Sequence, residues 1–159
     1  MRDEAAIDQL KESAKNGELI VIFGTGSSIA LTDNDFPVLS CTGLIENGFD
    51  YGVKKGCITI AQKNTWNNQL YSTDIDELLG AAEFMGRKLD APNCDLYGRW
   101  LESALKNVAP NDNSMADAIR KINDTETPTC TLNYDTLLEK VTFLPTVNLS
   151  EIKNATALK

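Results

Sequence analysis

The sequence predicts one α/β domain, a Rossmann-like fold in which helices flank a mostly parallel sheet, with a helical insertion over residues 73–122. Leu19–Phe23 is an unbroken apolar run rich in β-branched residues, which is typical of a strand buried on both faces. Thr129–Leu132 is a second short strand candidate, and each strand leads through small or polar residues into a helix. Because ligands gather outside the carboxyl ends of strands in an open α/β sheet, we expect both loops to face one crevice.

The composition limits the classes of function. A chain of 159 residues suffices for one domain, and its net charge of −8 argues against a nucleic-acid partner, which needs clustered Lys and Arg. The charged start has no segment of signal-peptide character and no run suits a membrane span, so we expect a cytoplasmic protein without a membrane partner. The chain has no histidine and its four cysteines form no Cys-x-x-Cys pair, so we expect no metal and no zinc module.

The first half of the chain predicts helices on either side of the first strand. Asp3–Lys15 has apolar residues on one helical face, and Asn16-Gly17 supplies a stop. Ser27–Leu31 is long enough for a short helix after the first strand. Cys41–Val53 has a weak helical period that its glycines weaken further, and residues 56–69 predict an irregular surface connection.

The second half predicts three helices before the second strand. Residues 73–89, 96–108 and 115–122 repeat apolar side chains at helical spacing, with Ser72 or Thr73 as the first cap and Ser114 as the last. We interpret all three as packing elements. After the second strand, a helix opens at 136–140 with Asp135 at its cap, and residues 145–149 are a candidate for a last strand.

The stretch Gly24-Thr25-Gly26-Ser27-Ser28 is the first candidate for ligand binding. Glycines allow close approach, and successive backbone N–H groups form a nest for phosphate, to which a helix N-terminus would add its dipole. A tight turn between a core strand and a helix explains the same residues equally well. The stretch matches neither of two common nucleotide-binding motifs. Ile29 occupies the position of the third glycine in the dinucleotide-binding fingerprint Gly-x-Gly-x-x-Gly, and no Lys follows the glycines as it does in the Walker motif.

Asn133 and Asp135 form the second candidate, and on their own they are explained as polar groups of a strand-to-helix turn. Together the two candidates resemble the SIR2-like family, the sirtuin-related NAD-consuming domains of defence systems and their fungal and animal relatives. The glycine stretch is similar to the Gly-Ala-Gly-x-Ser loop of sirtuins. Thr131–Glu139 is similar to the signature Thr-Thr-Asn-Tyr-Asp-x-Leu-Leu-Glu, and Pro37–Ile45 resembles Pro-x-x-Ser-Trp-x-x-Leu-Ile, with Cys41 in place of Trp.

The resemblance implies NAD as substrate or ligand, and cleavage of the nicotinamide–ribose bond in defence signalling. It implies that Gly24, Thr25, Gly26, Ser27 and Ser28 contact the phosphates. The chemistry passes through an oxocarbenium-like centre, so the ribose and a water must be held in place. By the same resemblance, Asn133 holds a ribose hydroxyl or orients that water, and Asp135 receives the nicotinamide amide or stabilises the helix start.

Two departures from the family pattern leave three hypotheses. By the resemblance, the absence of paired Cys-x-x-Cys motifs argues against a deacylase, and the family's catalytic His-Gly segment has no counterpart before Lys159. We therefore expect a single SIR2-like domain over 1–159, incomplete at its C-terminus. The first hypothesis is an NAD glycohydrolase. The second is an inactive NAD-binding or assembly subunit that forms homo- or hetero-oligomers with other SIR2-like chains. The third is a scaffold protein whose glycine stretch is only a turn.

Overall fold

The computed structural model describes residues 2–92 and 95–147, with the side chains of residues 2 and 3 left aside. Within these ranges the chain forms eight α-helices, two short strands and one 3₁₀ helix at Pro37–Leu39. In chain order the helices and strands are α1 (Arg2–Lys15), β1 (Val21–Phe23), α2 (Thr25–Leu31), α3 (Cys41–Lys55), α4 (Ile60–Leu70), α5 (Ile75–Leu89), α6 (Tyr97–Leu105), α7 (Ser114–Asp124), β2 (Thr129–Thr131) and α8 (Leu137–Thr142).

The prediction of a Rossmann-like fold with a mostly parallel sheet is wrong, because the described chain is mostly helical. The sheet contains β1 and β2 only, paired in parallel with Val21 opposite Thr129 and Phe23 opposite Thr131. The first two predicted strands are present, but the described residues between them fold into helices. Local sequence signals therefore identified these two strands correctly without determining how many strands the sheet would have.

The first strand is buried on one face and not on two. Phe23 is buried at 7% exposure, whereas Ile20 and Ile22 are 61% and 64% exposed. On the same side of the sheet, Cys130 and Leu132 are exposed as well. Since successive side chains of a strand point to opposite faces, the helices within the described ranges cover only the face that carries Phe23.

Two hydrophobic cores hold helices α2 to α8 in place. The first lies on the covered face of the sheet, where Phe23 packs with Leu31 of α2, Ile119 of α7 and Leu137 of α8. The second lies among α3, α4, α5 and α6, and its buried members are Ile45, Phe49, Ile58, Leu70, Ala81, Met85, Leu89 and Trp100. The predicted insertion over 73–122 is thus divided, because α5 and α6 belong to the second core and α7 to the first.

The region from 41 to 70 is more ordered than its sequence predicts. α3 is a full helix, and its glycines serve close packing: a Cβ at Gly48 would lie 2.6 Å from Met85 Sδ, and one at Gly52 would lie 2.6 Å from Ile58 Cδ1. The expected surface connection over 56–69 is wrong, because most of it forms α4. That helix begins with a capping box in which Thr59 and Gln62 satisfy each other's backbone N–H groups.

Other local predictions are confirmed with shifted ends. α1, α2, α5, α7 and β2 lie where helices and a strand are expected. The cap of α5 is Asp74, and that of α7 is Asn113, whose side chain accepts from two backbone N–H groups. The described part of the predicted last strand, residues 145–147, is not a strand, and residues 148–149 lie outside the described ranges.

Candidate functional site

Most of the glycine stretch belongs to the first turn of a helix. α2 begins at Thr25, directly after β1, and the Ser27 N–H and hydroxyl both donate to the Gly24 carbonyl, at 2.9 and 2.6 Å. A Cβ built on Gly24 or Gly26 would meet nothing within 4 Å. The surface above both glycines is therefore open to an approaching ligand.

Ser28 lies beneath this surface and joins the two candidate loops. It is 2% exposed. Its Oγ donates to Asp135 Oδ2 at 2.7 Å and accepts from Asn133 Nδ2, also at 2.7 Å. One buried hydroxyl thus connects the end of the glycine stretch to both polar residues that follow β2.

The parallel pairing of the strands explains why these residues meet. The ladder extends past the strands, since the Leu132 N–H donates to the Phe23 carbonyl at 3.0 Å. The carboxyl ends of β1 and β2 therefore lie side by side, and the residues that follow them share one edge. Asp135 is fixed further by the Leu137 N–H, which donates to its Oδ1 at 3.0 Å at the start of α8. Asn133 is held by its own N–H, which donates to Thr131 Oγ1 at 3.1 Å.

A cavity of about 160 Å³ adjoins this edge. Its polar wall comes from the two loops, and its apolar wall comes from the 3₁₀ helix and the start of α3. It is lined by Thr25, Val38, Leu39, Ser40, Cys41, Leu44, Leu105, Leu132, Asn133, Tyr134 and Asp135. Val38 and Leu105 pack against the first core and Leu44 against the second, so the cavity lies where the two cores adjoin.

The structure brings together some of the predicted site residues and not others. Thr25, Asn133 and Asp135 line the cavity, whereas Gly24, Gly26 and Ser27 do not contribute to its lining. Ser28 lies behind the polar wall, where its hydroxyl is bonded to protein side chains. The phosphate contacts predicted for the glycine stretch stay a prediction.

Sequence reasoning missed most of the apolar wall. Ser40, Cys41 and Leu44 belong to the Pro37–Ile45 stretch, whose family resemblance was a usable signal for this wall. Ser40 also shapes the wall, because its Oγ caps α3 by accepting from the Gly43 N–H at 3.0 Å. Leu105 had no signal beyond helical periodicity.

Two tyrosines, Tyr134 and Tyr97, lie close enough to interact electrostatically. Tyr134 is 73% exposed and lines the cavity. Burial raises the pKa of Tyr97 above its ordinary value, and the nearby Tyr134 and Asp90 raise that pKa further. A tyrosine hydroxyl is already protonated at neutral pH, and the raised pKa extends to higher pH the range in which Tyr97 remains a hydrogen-bond donor.

A second hollow offers no comparable site. It measures about 330 Å³ and is lined by Asp8, Lys11, Glu12, Lys15 and Asn16, all from α1 and the residue after it. Its charges are of both signs and come from one exposed helix face. Among the described residues, no group of three or more Cys, Asp or Glu side chains is arranged to hold a metal ion. In the same part of the chain, no helix is long and apolar enough to cross a membrane.

The chain has no match among models of known protein families, among curated proteins or among solved structures. The resemblance to the SIR2-like family therefore rests on its motifs, and it stays a prediction.

Proposed function

We propose that this chain is an NAD-binding protein of SIR2-like character, and that it holds the nicotinamide–ribose end of NAD in the cavity beside Asn133. One observation carries the proposal: the buried Ser28 hydroxyl joins the end of the glycine stretch to Asn133 and Asp135. Along the chain, Ser28 precedes Asn133 by 105 residues and Asp135 by 107. The side chains of the two motifs nevertheless meet at one edge of a parallel strand pair.

The size and lining of the cavity support one end of the dinucleotide as its occupant. Ligand pockets usually measure about 300–1,000 Å³, so a cavity of about 160 Å³ suits a part of NAD only. The proposal puts the flat pyridine ring against apolar lining side chains such as Val38 and Leu44, and the ribose against Thr25 and Asn133. The pyrophosphate would then extend over the open surface of Gly24 and Gly26.

A second candidate function is cleavage of the nicotinamide–ribose bond. The bond breaks with its electron pair leaving on nicotinamide, and water adds to the ribose cation with loss of a proton. Asn133 is suited to hold a ribose hydroxyl or that water, because a neutral amide is a much weaker nucleophile towards the cation than a carboxylate. The chain contains no histidine to accept the proton, which favours binding without turnover, as in an inactive or assembly subunit.

An NMR time course of NAD with the purified chain tests the proposal. Broadening of the NAD resonances without release of nicotinamide is the result expected for a binding protein. Release of nicotinamide, absent with Asn133→Ala, would establish the hydrolase. Unchanged NAD resonances would overturn the proposal and leave the glycine stretch as a turn.

A matched pair of variants separates loss of binding from loss of folding. Gly26 and Gly98 are both exposed and lie in the first turns of α2 and α6, and a Cβ at either would meet nothing within 4 Å. Gly26→Leu and Gly98→Leu should therefore both fold. Only Gly26→Leu should lose NAD binding, because its side chain would fill the space proposed for the pyrophosphate. Equal binding by the two variants would contradict the role given to the glycine stretch.

A further inference from the structure

The hydrogen bonds of Ser28 have a direction that follows from the number of its protons. A serine hydroxyl has one hydrogen to donate and lone pairs to accept, whereas an ionised carboxylate can only accept. Between Ser28 and Asp135, at 2.7 Å, the hydroxyl must therefore be the donor. Its hydrogen is then used, so towards Asn133 the same oxygen can only accept.

This direction fixes the amide of Asn133. The only donor of its side chain is Nδ2, so Nδ2 must face Ser28 and Oδ1 must face the other way. Turning the amide would place Oδ1 against an oxygen that has no hydrogen left to give. Among the residues that the structure describes, Oδ1 has no hydrogen-bond partner, and Asn133 lines the cavity.

Asp135 anchors the other end of this series of hydrogen bonds. Its Oδ1 accepts from the Leu137 N–H at 3.0 Å, which leaves Oδ2 for Ser28. Ser28 is 2% exposed, so bulk water competes little for its hydroxyl. The two donations therefore form a relay with one direction, from Asn133 Nδ2 to Ser28 Oγ and from Ser28 Oγ to Asp135 Oδ2.

We propose that Ser28 is a positioning residue that presents Asn133 Oδ1 to the cavity as an acceptor, so that the site selects ligands with a hydroxyl donor at that point. The ligand part of this proposal rests on the proposed function, in which the donor is a hydroxyl of the nicotinamide ribose. Ser28 itself touches no ligand. Asp135 acts through Ser28 and through the start of α8.

Asp135→Asn is the decisive variant, because the surrounding bonds determine how it must sit. The Leu137 N–H needs an oxygen acceptor, so the new amide oxygen faces Leu137 and the new NH₂ group faces Ser28. The Ser28 oxygen then accepts from position 135, and its hydrogen, no longer used by a carboxylate, is free to donate to Asn133. Donation to Asn133 reverses the relay and turns the Asn133 amide, so that its NH₂ group faces the cavity.

The first measurement is NMR of the Asn133 side-chain amide without ligand. In the wild type, an amide proton should show a nuclear Overhauser contact to the Ser28 β protons and exchange slowly with water. In Asp135→Asn that contact should disappear while the fold is kept, and Ser28→Ala should abolish the slow exchange. A wild-type amide with both protons facing the cavity would overturn the relay, whatever the chain binds.

The second measurement is NAD affinity in a double-mutant cycle. Ser28→Ala and Asp135→Asn should each weaken binding about tenfold or more, since the acceptor is lost or turned away. In an Asn133→Ala background, Ser28→Ala should have no further effect, which a purely structural role would not produce. Equal losses from Ser28→Ala in both backgrounds would overturn the positioning role. If the wild type binds no NAD, the ligand part fails with the proposed function, and the amide measurement still decides the relay.

Discussion

Ser28 Oγ lies 2.7 Å from Asp135 Oδ2 although 107 residues separate them. The bond connects the first turn of α2 to the start of α8, across the ends of the two parallel strands. Asp135 also lines the cavity, so the bond adjoins the candidate site. The stability of this part of the fold should therefore depend on a carboxylate that also organises the candidate site.

Asp135→Ala should lower the free energy of unfolding by about 1–3 kcal/mol, because it leaves the buried Ser28 hydroxyl and the Leu137 N–H without their acceptor. Urea unfolding measures the change. Glu102→Ala is the matched control, since Glu102 is an exposed acidic residue on α6, and it should change stability by less than about 0.5 kcal/mol. Equal effects from both variants would contradict the anchoring role.

Gly48→Ala should destabilise the second core by about 1–3 kcal/mol. The added methyl group would lie 2.6 Å from Met85 Sδ and 2.9 Å from Trp100 Cζ2, and both side chains are buried. Gly80→Ala is the control, because its nearest contact is an ordinary 3.7 Å to Trp66 and alanine favours a helix interior by about 1 kcal/mol. Thermal unfolding should thus move in opposite directions for the two variants.

Substitutions on β1 test whether the sheet is covered on one face. Phe23→Ala should cost about 3–5 kcal/mol, because its ring is buried in the first core. Ile22→Thr should change stability by less than about 0.5 kcal/mol, since this side chain is 64% exposed and threonine suits a strand. A large loss from Ile22→Thr would show instead that the second face is covered in solution.

Thr59→Ala should lower the free energy of unfolding by about 0.5–2 kcal/mol through loss of the cap of α4. The Thr59 hydroxyl accepts from the Gln62 N–H at 3.2 Å, and Gln62 Oε1 accepts from the Thr59 N–H at 2.9 Å. Thr73→Ala is the control, because the cap of α5 is Asp74. Chemical denaturation that shows no difference between the two threonine variants would argue against an ordered start to α4.

How much the sequence predicted depended on the range of each interaction. The helical periods of α1, α5 and α7 and the apolar run of β1 are local signals, and the structure confirms these elements. α4 was missed because its apolar pattern is weak and its stability comes from a capping box and from packing on α3 and α5. The caps at Asp74 and Asn113 were missed by one residue, within the usual uncertainty of helix ends.

By itself, the sequence determined the strand–helix units at 21–31 and 129–142 and the polar residues that follow each strand, since turn chemistry and apolar runs act over a few residues. Only the tertiary structure decided that the sheet has two strands among the described residues, that one face of β1 is covered, and that Ser28 meets Asn133 and Asp135. Strand pairing and burial depend on contacts between distant segments. The direction of the Ser28 relay follows from those contacts, because a single proton can be placed only once its neighbours are known.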